Sequence, residues 1–263
     1  MEELQAEDPR DVPDYEAVLA LDMRGYSKAA SHLMSPMRTN LDAMVAAAMA
    51  ESGLAEEWQQ RKYWGDRGDG FLLAMPVRRL WRLVDPLPEK LEAALAAYDA
   101  QRRAADPEIR VRMSVHVGPL PSDYHGDPMN DACRLLDSGA ARSALEQAKK
   151  LDSFLTLIIS DAVFHAVVRA KRTLRLTASD FLRVRAEVDD KFAELAWVHV
   201  PRRSPNDLAG LETPAPVEPV AEPSAEAVVP TVQPASKYHF GQTGSVTTEP
   251  SGTVNVYQDG QRP

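Results

Sequence analysis

Apolar and polar positions alternate along the chain with two different periods, and the switches between them outline an α+β body over roughly Tyr15 to Pro201. Glu16–Asp22 (Glu-Ala-Val-Leu-Ala-Leu-Asp) reads as a short buried strand that ends on a carboxylate. Lys28–Ser52 carries helix formers, interrupted only near Pro36, and Leu87–Ala105 is an Ala/Leu-rich helix. Glu57–Trp64 and Gly70–Met75 flank Gly65-Asp-Arg-Gly-Asp-Gly, a pattern that predicts strand, glycine turn, strand. Ile109–Val117 alternates as a half-buried strand. Met129–Lys150 is predicted as one helix, capped by Asp127 with Pro128 in its first turn. Phe154–Ser160 follows as a buried strand, Asp161–Arg169 as a short helix and Leu174–Val200 as a closing strand pair. Such a mixture predicts helices packed on a mostly antiparallel sheet.

Past Pro201 the pattern dissolves. Of the 20 prolines, ten fall in residues 1–200 and ten in 201–263. Residues 202–236, rich in Pro, Ala, Glu and Val, cannot bury much surface and are expected to form an extended, disordered linker. Residues 237–263 contain two β-prone pieces, Tyr238–Gly244 and Gly252–Gln258, separated by Glu249-Pro-Ser-Gly. They read either as a plain tail or as a short motif that pairs with another strand edge.

Charge narrows the partners. With 30 Lys+Arg against 39 Asp+Glu, the net charge of −9 argues against binding polymeric nucleic acid, which needs a cationic track. The longest apolar runs, Met44–Ala50 and Phe154–Ile159, are too short to span a bilayer, and the acidic N-terminus lacks an export signal. One cysteine, Cys133, excludes an internal disulfide framework. The expectation is a cytoplasmic protein without a membrane or nucleic-acid partner.

Three clusters carry candidate chemistry. Asp22 ends a strand and precedes Met23-Arg-Gly-Tyr-Ser. Asp69 sits between Gly68 and Gly70, where the absence of side chains lets a backbone or ligand come close. Two carboxylates on adjacent strand ends suit hard divalent cations, although each taken alone is also ordinary turn chemistry. Asn130 and Arg134, four apart on one helix face, lie near a helix N-terminus that favours phosphate, or simply form a solvated face.

Taken together and in order, Leu19-Ala-Leu-Asp-Met-Arg-Gly-Tyr-Ser, Arg67-Gly-Asp-Gly-Phe-Leu-Leu-Ala-Met-Pro, Arg110-Val-Arg-Met-Ser-Val-His-Val-Gly and Gly126-Asp-Pro-Met-Asn-Asp-Ala-Cys-Arg-Leu resemble the class III nucleotidyl cyclase catalytic domain. The closing Ala196-Trp-Val-His-Val-Pro is similar to its last strand, so the resemblance covers residues 14–201. It implies a ferredoxin-like, palm-like α+β fold and a homodimer. It also implies two Mg²⁺ or Mn²⁺ ions per site, held by Asp22, Asp69 and the Met23 carbonyl. Asn130 would orient the ribose and Arg134 would stabilise the α-phosphate, both supplied by the second protomer.

Adenylyl cyclases place a base-reading lysine where this chain has Gly65, with Lys62 three residues upstream, while Asp123 either matches their second base-reading position or is a surface turn residue of Pro121-Ser-Asp-Tyr. The chain is similar in this respect to the short pyrimidine cyclases of antiphage signalling. That similarity implies conversion of a pyrimidine triphosphate to cUMP or cCMP, UTP to cUMP being preferred, read by a cyclic-nucleotide-activated effector. Adenylate cyclisation to cAMP, or a non-catalytic nucleotide-binding scaffold, are the alternatives.

Overall fold

The computed structural model describes residues 10–189, 192–208, 210, 245–248 and 254–257. It forms two compact units, Met1–Ala215 and Pro216–Pro263. The first begins with β1 (Tyr15–Met23), a 3-10 turn at Tyr26–Lys28, α1 (Ser31–Glu51), α2 (Ala55–Gln60), β2 (Tyr63–Asp66) and β3 (Gly70–Pro76). It continues with α3 (Leu80–Val84), α4 (Leu87–Gln101), β4 (Val111–Pro119), α5 (Asp127–Asp137), α6 (Gly139–Lys150) and β5 (Leu155–Ser160). α7 (Asp161–Val163), a π turn at Phe164–Arg169, β6 (Leu182–Val188), β7 (Phe192–His199) and a 3-10 turn at Pro205–Leu208 complete it. In the second unit β8 (Ser245–Thr248) pairs antiparallel with β9 (Val254–Tyr257). The expected β-prone piece at Tyr238–Gly244 and most of the expected linker lie outside the described residues.

Seven strands form one sheet in the order β2-β3-β1-β4-β5-β7-β6, with β4–β5 as its parallel pair. The fold is therefore α+β with a mostly antiparallel sheet, as the hydrophobic pattern predicts. Its first four strands, with helices between β1 and β2 and between β3 and β4, have the antiparallel order of a ferredoxin-like unit.

β1 is central, and Ala17 to Leu21 are all buried because helices cover both faces of the sheet. Ala17, Leu19 and Leu21 pack with Met37, Leu41 and Val45 of α1 and Leu91 and Leu95 of α4. Val18 and Ala20 face the other way, against Met129, Ala132 and Leu136 of α5. Each such leucine contributes roughly 1.5–3 kcal/mol on full burial, so β1 is a stiff mount for whatever its end carries.

Four local expectations change. The strand expected from Glu57 begins instead as helix α2, because Trp58 turns inward to meet Trp64 and Phe71 edge-on, at ring-centroid distances of 5.2 and 5.6 Å. Arg61, at φ 39°, then ends the helix, and β2 starts two residues later. The helix expected over Met129–Lys150 is two helices, since Ser138 adopts an extended conformation between them. The Ser138 hydroxyl donates to Leu135 O at 2.7 Å and accepts from Ala141 N–H at 3.2 Å, finishing one helix and starting the next. Gly126, not Asp127, occupies the N-cap of α5, and Asp127 is the first helical residue. Finally, packing continues beyond Pro201: Leu208 is buried in the cluster formed by α6, β5, β6 and β7, and Arg202 pairs with Glu89 at 3.0 Å. Among the described residues no helix is long and apolar enough to cross a membrane.

Candidate active site

β1 ends where its two neighbours bring chemistry to it. Asp22 stands opposite Gly70 on β3 and opposite Arg112 on β4. That register makes Asp69 the carboxylate beside Asp22, and the strands are tied there by Met23 N–H donating to Asp69 O at 2.9 Å. Gly68 supplies the left-handed conformation of the turn, at φ +81°. Gly70 is required for a different reason: a Cβ there would lie 1.8 Å from Leu21 O, because β3 crosses β1 too closely for any side chain. Asp66, the other carboxylate of the turn, points away and pairs with Arg38 at 2.7 Å.

Asp22 is buried, and Arg112 grips both of its oxygens: Nε donates to Oδ1 at 3.0 Å and Nη2 donates to Oδ2. Burial pushes the Asp22 carboxyl above the usual range, Arg112 draws it back, and the charges of Asp69 and Asp137 push it up again. The third donor of Arg112, Nη1, reaches Leu136 O at 3.0 Å, one of the carbonyls left free at the C-terminus of α5. One cation thus ties β1, β4 and α5 together at the site.

A cavity of about 450 Å³ opens over this point, lined by Asp22, Met23, Asp69 and Arg112. Its walls are the Gly25–Lys28 turn and the face of α6 carrying Arg142, Leu145 and Glu146. Arg24 pairs with Glu146 at 2.5 Å, and Arg142 lies 3.6 Å from Asp137. The cavity therefore combines carboxylates at its floor with Arg24, Lys28, Arg112 and Arg142 around them.

That donor set fits a hard divalent cation carrying a polyanion. A carboxylate offers about four lone-pair sites, so the grip of Arg112 leaves Asp22 free sites for a metal. Among the described residues no group of three or more His, Cys, Asp or Glu could hold a metal ion by itself. Two carboxylates and a backbone carbonyl are nevertheless a typical protein share for Mg²⁺ or Mn²⁺ when water and phosphate oxygens complete the shell.

Three sequence-predicted residues do not line this cavity. Asn130 is exposed on α5; Arg134, on the same helix, donates to Asp131 Oδ1 at 3.0 Å and lies 5.9 Å from the Phe192 ring. Asp123 is exposed in the loop before α5, where its carboxylate accepts from His125 N–H at 3.0 Å. So the structure gathers Asp22, Met23 and Asp69 and leaves Asn130, Arg134 and Asp123 elsewhere on the chain.

Arg24, Lys28, Arg112, Arg142 and Glu146 were not singled out from sequence. A faint signal exists: Arg142 and Glu146 are four apart and share a helix face, and Arg112 alternates with buried Val111 and Met113 on its strand.

No family model and no curated protein matches the chain. Solved structures resemble it in part. The guanylyl cyclase Cya2 is 13% identical with a TM-score of 0.49, over 74% of this chain and 98% of that one. The guanylate cyclase domain of RhGC from Catenaria anguillulae, in complex with GTP, is 15% identical with a TM-score of 0.46, over 74% and 100%. A bacterial light-regulated adenylyl cyclase is 12% identical with a TM-score of 0.47, over 72% of this chain and 52% of that one.

Proposed function

We propose that this chain is a nucleotidyl cyclase, converting a nucleoside triphosphate to a 3′,5′-cyclic nucleotide and pyrophosphate. The observation that carries the reading is the Asp22/Asp69 pair on adjacent strand ends, at the floor of a cavity ringed by Arg24, Lys28, Arg112 and Arg142. Asp22, Asp69 and the Met23 carbonyl would hold Mn²⁺ or Mg²⁺. Bound there, the ions would make the ribose 3′-OH more acidic and neutralise charge on the phosphates.

In the reaction O3′ bonds to the α-phosphorus, the α–β bridging bond breaks, pyrophosphate leaves with the bond pair, and the 3′-OH proton passes to solvent. Arg24, Lys28 and Arg142 would hold the triphosphate and stabilise the charge that accumulates on the departing pyrophosphate, while Arg112 positions Asp22. Asn130 and Arg134 of a second copy would complete each site, Asn130 orienting the ribose and Arg134 bonding the α-phosphate in the transition state. Their absence from the cavity of their own protomer supports this division.

The preferred substrate on this reading is UTP, with cUMP as a second messenger for an antiphage effector. Gly65 stands where adenylyl cyclases carry their base-reading lysine, and β2 pairs it opposite Leu72, which leaves Lys62 before the strand. Asp123 would contact the base. The test is incubation of the purified protein with Mn²⁺ and each of ATP, GTP, CTP and UTP, with products identified by mass spectrometry. Cyclic UMP is expected as the main product. No cyclic product from any of the four, from folded dimeric protein, would overturn the cyclase reading; cAMP as main product would overturn only the base assignment.

A further inference from the structure

The geometry points to Arg38, on α1, as the positioning residue that sets where Asp69 meets a divalent cation. The inference rests on the two-carboxylate reading of the site and names what holds its second carboxylate in place. Among the described residues nothing donates a hydrogen bond to the Asp69 side chain itself, so its position is fixed through its backbone. That backbone is held from both sides by one guanidinium. Nη1 of Arg38 lies 3.0 Å from Gly68 O and 3.0 Å from Gly70 O, the carbonyls of the residues on either side of Asp69. The same nitrogen pairs with Asp66 Oδ1 at 2.7 Å, and that oxygen in turn accepts from Gly68 N–H at 2.9 Å.

The clamp has a rigid base. Nε of Arg38 donates to Asp42 Oδ1 at 3.0 Å, one turn along the helix, which orients the guanidinium toward the hairpin. Met37, Leu41 and Val45 bury α1 against the sheet that carries Asp22. Asp22 and Asp69 are therefore referenced to the same packed body by two routes. Asp22 is held through β1 and Arg112; Asp69 is held by Met23 N–H at its own carbonyl and, at the two residues flanking it, by Arg38. The turn needs such a hold, since its two glycines, Gly70 and the left-handed Gly68, give it little stiffness of its own. A lysine could meet one or two of these acceptors but lacks the planar fork that engages Asp42 and the turn together.

The test uses the full chain and reads metal uptake directly. Free Mn²⁺ is followed by electron paramagnetic resonance during titration of wild type, Arg38→Met and Arg38→Lys, in the presence of 3′-deoxy-UTP, which binds without cyclising. Loss of a partner that orients a metal ligand typically costs about 10–100-fold in affinity, so the Arg38→Met midpoint is expected to move to higher Mn²⁺ by that factor, with Arg38→Lys between the two. A merely structural role would lower the melting temperature and leave the Mn²⁺ midpoint of the folded protein where it was; that result would overturn the inference. If Arg38→Met does not fold, Arg38→Lys decides, and an unmoved midpoint in it is equally fatal. Wild type that takes up Mn²⁺ but cyclises no nucleotide removes the cyclase reading and leaves the clamp standing. Wild type that takes up no Mn²⁺ removes both.

Discussion

Asp22 on β1 faces Gly70 on β3 across an antiparallel pair, and the absence of a side chain at Gly70 is what lets the Asp69 turn close over the end of β1. The backbones approach so nearly that a methyl group at residue 70 would overlap Leu21 O, 1.8 Å away. Gly70→Ala is expected to force the strands apart and lower stability by about 1–3 kcal/mol or more, the range for overpacking a dense interior. Thermal denaturation measures the loss. An unchanged melting temperature would mean that the two strands do not meet in this register.

Removing charge from either carboxylate separates metal binding from folding. Asp22→Asn keeps an oxygen acceptor for Arg112, so the bridge between β1 and β4 survives in part while the anionic ligand is lost. Asp22→Asn and Asp69→Asn are both expected to bring cyclisation below detection in folded protein, followed by circular dichroism and product assay. Substantial turnover in either variant would remove that residue from the metal site.

Because Asn130 and Arg134 do not line the cavity of their own protomer, two inactive variants should repair each other. Asp69→Asn and Arg134→Ala are each expected to be nearly silent alone. Mixed in equal amounts and allowed to exchange, random two-fold pairing leaves about a quarter of the sites intact, and activity should recover toward that fraction. Failure to recover, with subunit exchange shown by mass spectrometry, would argue that each protomer carries a whole site or none.

Glu92, on α4, gives the fold a pH dependence remote from the cavity. Its carboxylate is buried and accepts from Phe154 N–H at 3.0 Å, and burial pushes its pKa up from 4.5 to about 7. The folded protein therefore binds this proton more tightly than the unfolded chain. The resulting stabilisation is complete below 4.5 and is lost as pH rises through about 7. The full span corresponds to about 3 kcal/mol. Denaturant midpoints of wild type and Glu92→Gln, measured from pH 5 to 8, should diverge in slope: wild type loses stability relative to the variant with rising pH. Parallel curves would show that Glu92 does not titrate in this range.

The strands that carry the site were legible because they sit in the centre of the sheet. Ala17–Leu21 are apolar on both faces, and the run ends abruptly at Asp22, so position and terminus are both written locally. The Gly68-Asp69-Gly70 turn was legible for the same reason, since glycine flanking a carboxylate is a local statement. α2 was not. Its residues Glu56, Glu57 and Gln60 are compatible with helix or edge strand, and the choice is made by Trp58 finding Trp64 and Phe71. The break between α5 and α6 rests on Ser138-Gly139 alone, a short interruption in a long run of helix formers, and Ser138 becomes a cap through its bonds to Leu135 O and Ala141 N–H.

By itself the sequence determined the α+β alternation, the two carboxylate-bearing turns and the helix bearing Asn130 and Arg134. All of these depend on short-range periodicity and on where glycine allows a turn. Only the tertiary structure decided that Arg112 holds Asp22, that Arg38 holds the Asp69 turn, and that Arg24 and Arg142 share their cavity. Those pairs join residues far apart in sequence, and which cation meets which acceptor follows from strand register and helix packing, quantities that no local pattern encodes.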